Sequence, residues 1–400
     1  MTDIRPFRAL RYTRDPAPRI APPYDVISEA ERTALAAEPE NIVHLTLPPG
    51  PEGERDYKAA AHTLEKWIGQ GILRRDGQEN LYVLEEHIPG GRVRRGFLGL
   101  LRLADYEERT VLPHERTMEG PKRDRLLLTR AVHANLEPLF FLYEDRDAKL
   151  APLLQEATCG SVLAACPGRD ASRLALYAGT EAESIASTRA FLADRSVIIA
   201  DGHHRYETML RYRDECREAA RSAGRPLGPG DPHEFVLAYL VNAFDPGSEV
   251  RAIHRVLEGE IGDVPQVLGS SGFQVEECSG GTPGGLLESL SRRREREHAF
   301  VFARAEGPWL LASRPRGSEL DVEVLHAELL PGIGGELSFD ARPGRLLERV
   351  GRREVALGIL MNPVDPDSLF RVVQSGRVLP QKSTFFSPKI PSGLVIRALS

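Results

Sequence analysis

The sequence predicts a protein of the mixed α/β (α+β) class, built on a mixed sheet to which the C-terminal part adds strands. Short apolar runs with the length of buried strands occur at residues 138–144, 196–200 and 235–244. Helical patterns lie among these runs, but strands and helices do not alternate regularly, which argues against a simple βαβ repeat. The length allows two domains, and we expect an N-terminal part at 1–225 and a C-terminal α+β part at 226–400.

Local signals predict the elements of the N-terminal third. At residues 28–38, a serine precedes a run of helix formers and a glutamate follows three positions later, which indicates a capped helix. Residues 56–71 carry apolar side chains at helical spacing and end on a glycine, so they predict an amphipathic helix. Two apolar segments at 81–88 and 97–103 flank a Gly-Gly pair and predict a β-hairpin.

The remaining elements are assigned in the same way. Residues 112–136 begin as a charged loop and continue as a helix, and residues 201–220 begin as a turn and continue as a helix. The segments 298–304 and 308–314 predict a second hairpin. The apolar segment 393–399 predicts a closing strand.

Composition excludes several classes of protein. Of the 400 residues, 41% are hydrophobic and 28% are charged, which fits a globular protein rather than a disordered one. The 52 basic and 58 acidic residues give a net charge of -6, so the balance argues against nucleic acid or an anionic membrane as partner. The N-terminus is charged, and no apolar stretch approaches the length of a membrane helix. We therefore expect a cytoplasmic protein, with its oligomeric state left open.

The cysteines and lysines are also informative. Four scattered cysteines lack metal-type spacing, which predicts reduced thiols and no protein-built metal site. Only six of the 52 basic residues are lysine, a bias that an arginine-rich genome explains. Against this background, Lys122, Lys382 and Lys389 fall inside candidate motifs, and Lys122 and Lys382 mark positions where a compact ammonium is needed rather than a planar guanidinium.

The sharpest chemical feature, directly after the strand at 196–200, is the run Asp201, Gly202, His203, His204 and Arg205. Its aspartate and glycine suit a tight turn, because glycine tolerates positive φ. The histidines and arginine then fall in the first turn of a helix, where the helix dipole favours an anion. The arginine can clamp a phosphate and the histidines can donate to its oxygens. The alternative is an ordinary capped turn with solvent-exposed histidines.

A second charged constellation precedes the helix of 112–136. It begins with Pro113, His114 and Glu115, and continues with Lys122 and Arg123. A carboxylate among cations stays ionised near neutral pH, so Glu115 is a candidate general base. The two basic residues are candidates for holding phosphate oxygens. A surface loop with weak ion pairs is the alternative.

The tail contains a third candidate, formed by Lys382, Ser383 and Thr384. Lysine beside hydroxyl side chains suits phosphate binding, but no glycine-rich loop precedes it, so it is not a Walker motif. An edge strand limited by proline is the alternative. Two weaker candidates are the run PPYD at residues 22–25 and the pair His254-Arg255. No G-x-S-x-G elbow and no G-x-G-x-x-G fingerprint is present.

Several motifs in order carry a family resemblance. The segments RPFRALRY, APPYDVI, LPHERTM, GPKRDRL, IADGHHRYET, HRVL, MNP and LPQKSTFFSPK, the last followed by GL, extend over nearly the whole chain. Together they resemble the bacterial and archaeal domain-of-unknown-function family 1015. This family name implies no reaction.

The segment IADGHHRYET also resembles the phosphate-binding motif of the ParB and sulfiredoxin-like superfamily, and in particular of its free serine kinases. The resemblance implies that the helix after the DGHHR turn holds nucleotide phosphates at Gly202, His203, His204 and Arg205. It also implies that an upstream carboxylate in a Pro-His-Glu context acts on the serine hydroxyl, which places the catalytic base at Glu115. The two motifs are 86 residues apart. That spacing implies an insertion, which we expect near residues 150–183.

The resulting expectation is a nucleotide-dependent phosphotransferase, although the sequence leaves open whether the protein is an enzyme. Its donor would be ATP or ADP with Mg²⁺, and its acceptor a small hydroxylated metabolite such as a free amino acid. Glu115, Asp201 and His204 are the expected catalytic residues. Lys122, Arg123 and Lys382, with Ser383 and Thr384, would neutralise or bind phosphate. A ParB-like nucleotide-binding regulatory or DNA-associated module and a phosphoester hydrolase are the two alternatives.

Overall fold

The computed structural model describes residues 1–115, 119–168, 171–179, 181–278 and 281–399. The chain forms two compact units. The first unit comprises Met1–Pro113, Thr117–Glu249 and Pro388–Ser400, and the second comprises His114–Arg116 and Val250–Ser387. The boundary expected after residue 225 falls within the first unit.

The described strands are numbered in chain order. They are β1 (Ile4–Arg5), β2 (Leu10–Tyr12), β3 (Leu73–Arg75), β4 (Leu81–Ile88), β5 (Arg92–Arg102), β6 (Val111–Leu112), β7 (Ala134–Asn135), β8 (Leu139–Tyr143), β9 (Val162–Pro167), β10 (Arg173–Gly179), β11 (Val197–Asp201), β12 (Phe235–Asn242), β13 (Glu249–Arg251), β14 (His254–Glu258), β15 (Gln274–Cys278), β16 (Glu297–Arg304), β17 (Trp309–Pro315), β18 (Glu336–Asp340), β19 (Leu357–Met361), β20 (Phe385–Ser387) and β21 (Arg397–Ala398).

The described α-helices are numbered in the same way. They are α1 (Glu29–Ala36), α2 (Val43–Thr46), α3 (Tyr57–Gly69), α4 (Glu119–Val132), α5 (Ala151–Ala157), α6 (Ala182–Ala193), α7 (His203–Ser222), α8 (Val264–Ser270), α9 (Pro283–Arg293), α10 (Asp321–Val324), α11 (Leu330–Ile333), α12 (Pro343–Gly351) and α13 (Pro366–Gln374). In the described part of the chain, no helix is both long and apolar enough to cross a membrane.

The first unit is built on a nine-stranded mixed sheet, with the order β6-β11-β8-β12-β5-β4-β10-β9 and β1 paired with β5. The pairs β11–β6 and β12–β8 are parallel. The other pairs of this sheet are antiparallel. All eight residues of β12 and all five of β8 are buried, because the sheet carries helices and loops on its faces. The predicted mixed sheet is confirmed. The segment expected to be an insertion supplies β9 and β10 at one edge of this sheet.

The second unit has its own six-stranded sheet, in the order β15-β17-β16-β19-β14-β18. Neighbouring strands of this sheet run antiparallel throughout. The predicted hairpin of 298–304 and 308–314 is the β16–β17 pair. Of the strands from residues 226–400, β12 joins the sheet of the first unit, whereas β14 to β19 form this separate sheet.

The local signals in the N-terminal third are also confirmed. Ser28 caps α1 by accepting a hydrogen bond from the Glu31 backbone N–H. Helix α3 buries its apolar stripe through Ala60, Leu64 and Trp67. The hairpin β4–β5 has the predicted Gly-Gly turn, although β5 begins earlier than expected.

Candidate functional site

The DGHHR turn lies where buried strand β11 passes into helix α7, as its sequence predicts. Gly202 is the residue before the helix and has a φ of 98°, a conformation that side chains with a Cβ rarely adopt. A Cβ at this position would also lie 3.0 Å from a terminal nitrogen of Arg205. The glycine therefore satisfies both the backbone turn and the close approach of the guanidinium.

Arg205 and Asp201 form an ion pair across the first turn of α7. Arg205 is 8% exposed. Its guanidinium donates to Asp201 Oδ2 at 2.9 Å and to the Pro138 carbonyl at 3.0 Å, and it lies 3.9 Å from Glu137. Burial works to lower the pKa of Arg205, but Glu137 and Asp201 outweigh it, so the pKa is raised. The arginine remains a permanent cation within the turn.

Lys389 completes this charged group from the C-terminal segment. Its ammonium donates to Asp201 Oδ1 at 2.5 Å and to Asp25 Oδ2 at 3.5 Å. Burial works to lower the pKa of Lys389, but the carboxylates of Asp201 and Asp25 outweigh it and raise the pKa. Thus the PPYD run and a tail lysine, both weak signals in the sequence, lie at the DGHHR turn. We name Asp25, Asp201, Arg205 and Lys389 the turn cluster.

Glu137 is a member of this neighbourhood that the sequence did not reveal. Its carboxylate accepts hydrogen bonds from the Tyr24 backbone N–H at 3.0 Å and from the Ser392 hydroxyl at 2.6 Å. It also helps to line a cavity of about 50 Å³ with Arg205 and Arg125. That volume accommodates a few water molecules, not a nucleotide. Glu137 precedes an apolar strand and belongs to no recognisable motif, so only the tertiary structure identifies it.

Other predicted phosphate ligands of the first unit lie near α7. His203 is buried and His204 is half-buried. Lys122, on α4, donates to Glu207 Oε2 at 2.7 Å, and Glu207 lies on α7. Arg123 is exposed. Lys122 thus already has an acidic partner, and its role toward a phosphate stays a prediction.

In the second unit, His114 and Glu115 of the Pro-His-Glu motif pair with the tail. Glu115 bridges to Leu379 in parallel register, and Leu379 donates its N–H to the His114 carbonyl at 2.8 Å. Glu115 Oε2 accepts the Lys382 backbone N–H at 2.9 Å. His114, 1% exposed, shares a 2.8 Å hydrogen bond with the Thr384 hydroxyl. Two motifs that are about 270 residues apart are therefore adjacent, which neither motif indicates by itself.

The turn that carries Lys382 is held from within the second unit. Lys382 has a φ of 57°, which is strained for a residue with a side chain. Arg255, fully buried, donates to the Lys382 carbonyl at 3.0 Å and to the Gln381 carbonyl at 3.5 Å. It also bonds to His326 Nε2 at 2.9 Å. The hydroxyl of Ser383 donates to the Pro380 carbonyl at 2.5 Å. Arg255, which the sequence marked only weakly together with His254, thus stabilises the tail turn.

Burial lowers the pKa values of Arg255 and of the two histidines beside it. It lowers the pKa of Arg255 to about 10. Burial, with the nearby Arg255 charge as a second cause, lowers the pKa values of His254 and His326 to about 4. Both histidines are therefore neutral at pH 7, which lets His326 Nε2 accept the arginine's hydrogen bond.

The sequence also did not identify a buried histidine and aspartate in the second unit. His298 Nδ1 lies 2.8 Å from Asp321 Oδ1, while His298 Nε2 accepts the Gly317 N–H at 3.0 Å. Both ring nitrogens are engaged and the side chain is 1% exposed, so this pair stabilises the fold around β16. Within the described ranges, no group of three or more His, Cys, Asp or Glu side chains is placed to hold a metal ion.

A family model described as a protein of unknown function (DUF1015) matches residues 4–329. The chain belongs to this family. No curated protein matches the sequence.

Solved structures with a similar arrangement have low sequence identity. A conserved hypothetical protein from Pyrococcus furiosus is 17% identical, with 72% of this chain and 92% of that chain covered and a TM-score of 0.35. A mutant free serine kinase in complex with AMP is 15% identical, with 77% and 95% covered and a TM-score of 0.37. A C-terminally truncated SbnI from Staphylococcus aureus is 10% identical, with 75% and 87% covered and a TM-score of 0.37. Scores this low assign neither an activity nor a substrate to members of the DUF1015 family.

Proposed function

We propose that this DUF1015 protein is a nucleotide-dependent phosphotransferase that acts on a small hydroxylated metabolite, such as a free amino acid, on a ParB/sulfiredoxin-like core. The observation that carries the proposal is the turn cluster. Two cations, Arg205 and Lys389, meet the first turn of a 20-residue helix directly after a glycine with a φ of 98°. A helix N-terminus with adjacent cations suits phosphate groups.

In this proposal the turn supplies the phosphate site. The helix dipole at Gly202, His203 and His204 attracts the phosphates, and Arg205 and Lys389 neutralise their charge. Both cations bind Asp201 in the structure. An arriving phosphate would share them with this carboxylate, so Asp201 sets how strongly the cations hold the ligand.

Glu115 is the proposed base that takes the proton of the acceptor hydroxyl. Its carboxylate is oriented by the Lys382 N–H, which donates to one of its two oxygens. The Lys382 side chain, together with Ser383 and Thr384, is the proposed contact to phosphate oxygens. In this proposal, catalysis comes mainly from positioning the reactants and neutralising the phosphate charge.

ATP or ADP is the proposed donor. The described residues offer no protein-built cage of three acidic or histidine ligands, and both oxygens of Asp201 already bind cations. This donor set does not fit a resident metal site. Mg²⁺ would instead arrive coordinated to the nucleotide phosphates, as is usual for this ion.

The direct test is nucleotide consumption with a panel of hydroxylated amino acids. We expect wild-type protein to bind ATP or ADP, and Glu115→Gln to keep that binding while losing at least about 100-fold in turnover. Glu52→Gln, which alters an exposed glutamate, is the matched control and should leave turnover unchanged. Failure of the wild-type protein to bind either nucleotide would refute the proposal.

The same assay, together with a measurement of DNA binding, separates the two alternatives. Nucleotide binding without turnover of any acceptor would favour a ParB-like regulatory module. Release of phosphate from simple phosphoesters without an acceptor would favour a hydrolase. Tight binding of duplex DNA would favour a DNA-associated role, against which the net charge of -6 argues.

A further inference from the structure

A second charged cleft lies in the first unit and has no part in the proposed phosphotransfer. Its volume is about 570 Å³, which falls in the range of small-molecule sites. The arginines that line it are Arg5, Arg8, Arg75, Arg189 and Arg397. They come from the two chain ends, from β3 and from α6. The cleft thus gathers the RPFRALRY motif and the closing strand, neither of which contributes to the phosphotransfer proposal.

The charge of the cleft is strongly positive. Glu79 is the acidic residue among its lining residues, and Asp3 pairs with both Arg5 and Arg189 at 2.9 and 3.5 Å. The charged residues of the lining itself are five arginines and one glutamate, so the lining is predominantly basic. The whole chain carries a net charge of -6, so this cleft departs locally from the overall balance.

Arg397 is the innermost of these cations. Its side chain is 4% exposed, and its guanidinium donates to the Pro232 carbonyl at 2.6 Å, to the Phe235 carbonyl and to Asn135 Oδ1 at 3.3 Å. All three acceptors are neutral. Burial lowers its pKa to about 10, and no acidic group of the described residues offsets that shift. A buried cation held only by neutral acceptors gains stability from an anion that enters the cleft.

The lining also contains apolar and aromatic side chains. The Arg5 guanidinium lies 4.2 Å above the centre of the Phe235 ring, which holds its planar face in place. Phe7 and Phe235 are buried, at 4% and 2% exposed, so the accessible apolar part of the lining comes from Leu100 and two prolines. The arrangement therefore combines fixed guanidinium groups with a hydrophobic wall.

We propose that this cleft binds a small organic anion that carries at least two phosphate or carboxylate charges next to an apolar or aromatic group. Guanidinium groups bind such oxyanions through paired hydrogen bonds, and the wall accommodates the rest of the ligand. A cleft of about 570 Å³ suits a metabolite better than an extended polymer. The site is independent of the turn cluster, so it can exist whether or not the protein transfers phosphate.

Phenyl phosphate, benzene-1,3,5-tricarboxylate and inorganic phosphate are suitable probes, measured by calorimetry on the full chain. We expect saturable binding of the two aromatic anions, weaker binding of inorganic phosphate, and at least a tenfold loss of affinity in Arg8→Glu. Arg75→Glu should act in the same direction. Arg14→Glu changes an exposed arginine outside the cleft and should remain within twofold of the wild type.

Four results would overturn the proposal. The first is the absence of saturable binding of both aromatic anions to the wild-type protein. The second is an equal effect of Arg8→Glu and Arg14→Glu, which would indicate nonspecific attraction. The third is displacement of the probes by ADP that disappears in Gly202→Ala, which would assign them to the DGHHR turn. Tighter binding of a heparin oligosaccharide than of either aromatic anion would replace the small ligand with a polymer.

Discussion

At the scale of single residues, Lys389 connects two parts of the sequence that are far apart. Its ammonium contacts the carboxylates of Asp201 and Asp25 and is mostly buried. A lysine here is compact enough to contact both acids, which agrees with its retention in an arginine-rich chain.

Replacing Lys389 with methionine should therefore destabilise the protein. We expect the free energy of unfolding to fall by about 2–3 kcal/mol, because Asp201, whose side chain is mostly buried, would lose a cation that compensates its charge. Urea denaturation measures the change. Lys58→Met, at an exposed position on α3, is the control and should cost less than about 0.5 kcal/mol. Equal effects of the two substitutions would contradict the role of the ion pairs.

Gly202 permits a second test. Gly202→Ala should lower the free energy of unfolding by about 1–3 kcal/mol, because the new Cβ meets both an unfavourable φ of 98° and the Arg205 guanidinium. Gly224→Ala separates the two causes, since Gly224 has a φ of 63° and a Cβ there would meet no described atom within 4 Å. We expect a cost of about 1 kcal/mol at that position. A larger loss at Gly224 than at Gly202 would show that the contact with Arg205 is not limiting.

The substitution Lys382→Gly tests the chemistry of the lysine side chain separately from the strain of its backbone. In Lys382→Gly the turn keeps the N–H that Glu115 accepts, and relief of positive φ offsets the added flexibility of the unfolded chain. The midpoint of thermal unfolding should therefore change little, while nucleotide turnover should fall at least tenfold if the ammonium contacts phosphate. Unchanged turnover would remove Lys382 from the proposed site.

At the scale of elements, the histidines beside Arg255 predict a dependence of stability on pH. His254 and His326 have pKa values of about 4 in the folded protein, below the ordinary value of 6.5. Between these values the unfolded chain binds protons that the folded protein does not, so stability falls as pH decreases from 6.5 to 4. For the more deeply buried His254 the loss reaches at most about 3 kcal/mol.

Urea denaturation at a series of pH values measures this effect. His326→Gln keeps an acceptor for Arg255 but does not titrate, so its stability should vary less steeply over this range. The matched control is His62→Gln, at an exposed position on α3. If the slope of stability against pH is the same in His326→Gln and the wild type, His326 is not a source of that slope.

Elements were predictable where their signal is local. The capped helix α1, the amphipathic helix α3 and the strand–turn–helix around DGHHR follow from residues within one or two turns of each other. Pairing between distant segments has no such signal. The contact of Glu115 with the Lys382 turn, and that of Lys389 with Asp25 and Asp201, depends on tertiary structure, so the sequence identified these residues without grouping them.

At the scale of the whole molecule, the first unit is assembled from three stretches of chain. Its last stretch, 388–400, supplies Lys389 to the turn cluster and Ile396 to the core, and β21 pairs with β7. The expected boundary after residue 225 lies in a loop rich in glycine and proline. That loop is an exposed connection between α7 and β12 within one unit, which composition does not distinguish from a linker.

A chain that ends after residue 387 should lose the fold of the first unit and keep that of the second. Hydrogen exchange monitored by mass spectrometry would show rapid exchange in β8 and β12 and continued protection in β16 and β19. Proteolytic cleavage within the exposed segment 223–227 is the control and should leave both regions protected. Protection of β12 in the shortened chain would show that the last stretch is dispensable.

Assembly from three stretches also sets an order of events during synthesis. Residues 250–387 complete the second unit while the final 13 residues of the first unit have yet to be translated. The strands of the first unit that are synthesised early cannot complete their packing until residues 388–400 are made. Part of their apolar surface stays exposed until then. Within residues 1–400, the unit whose first strands are synthesised earlier is therefore the one that finishes folding later.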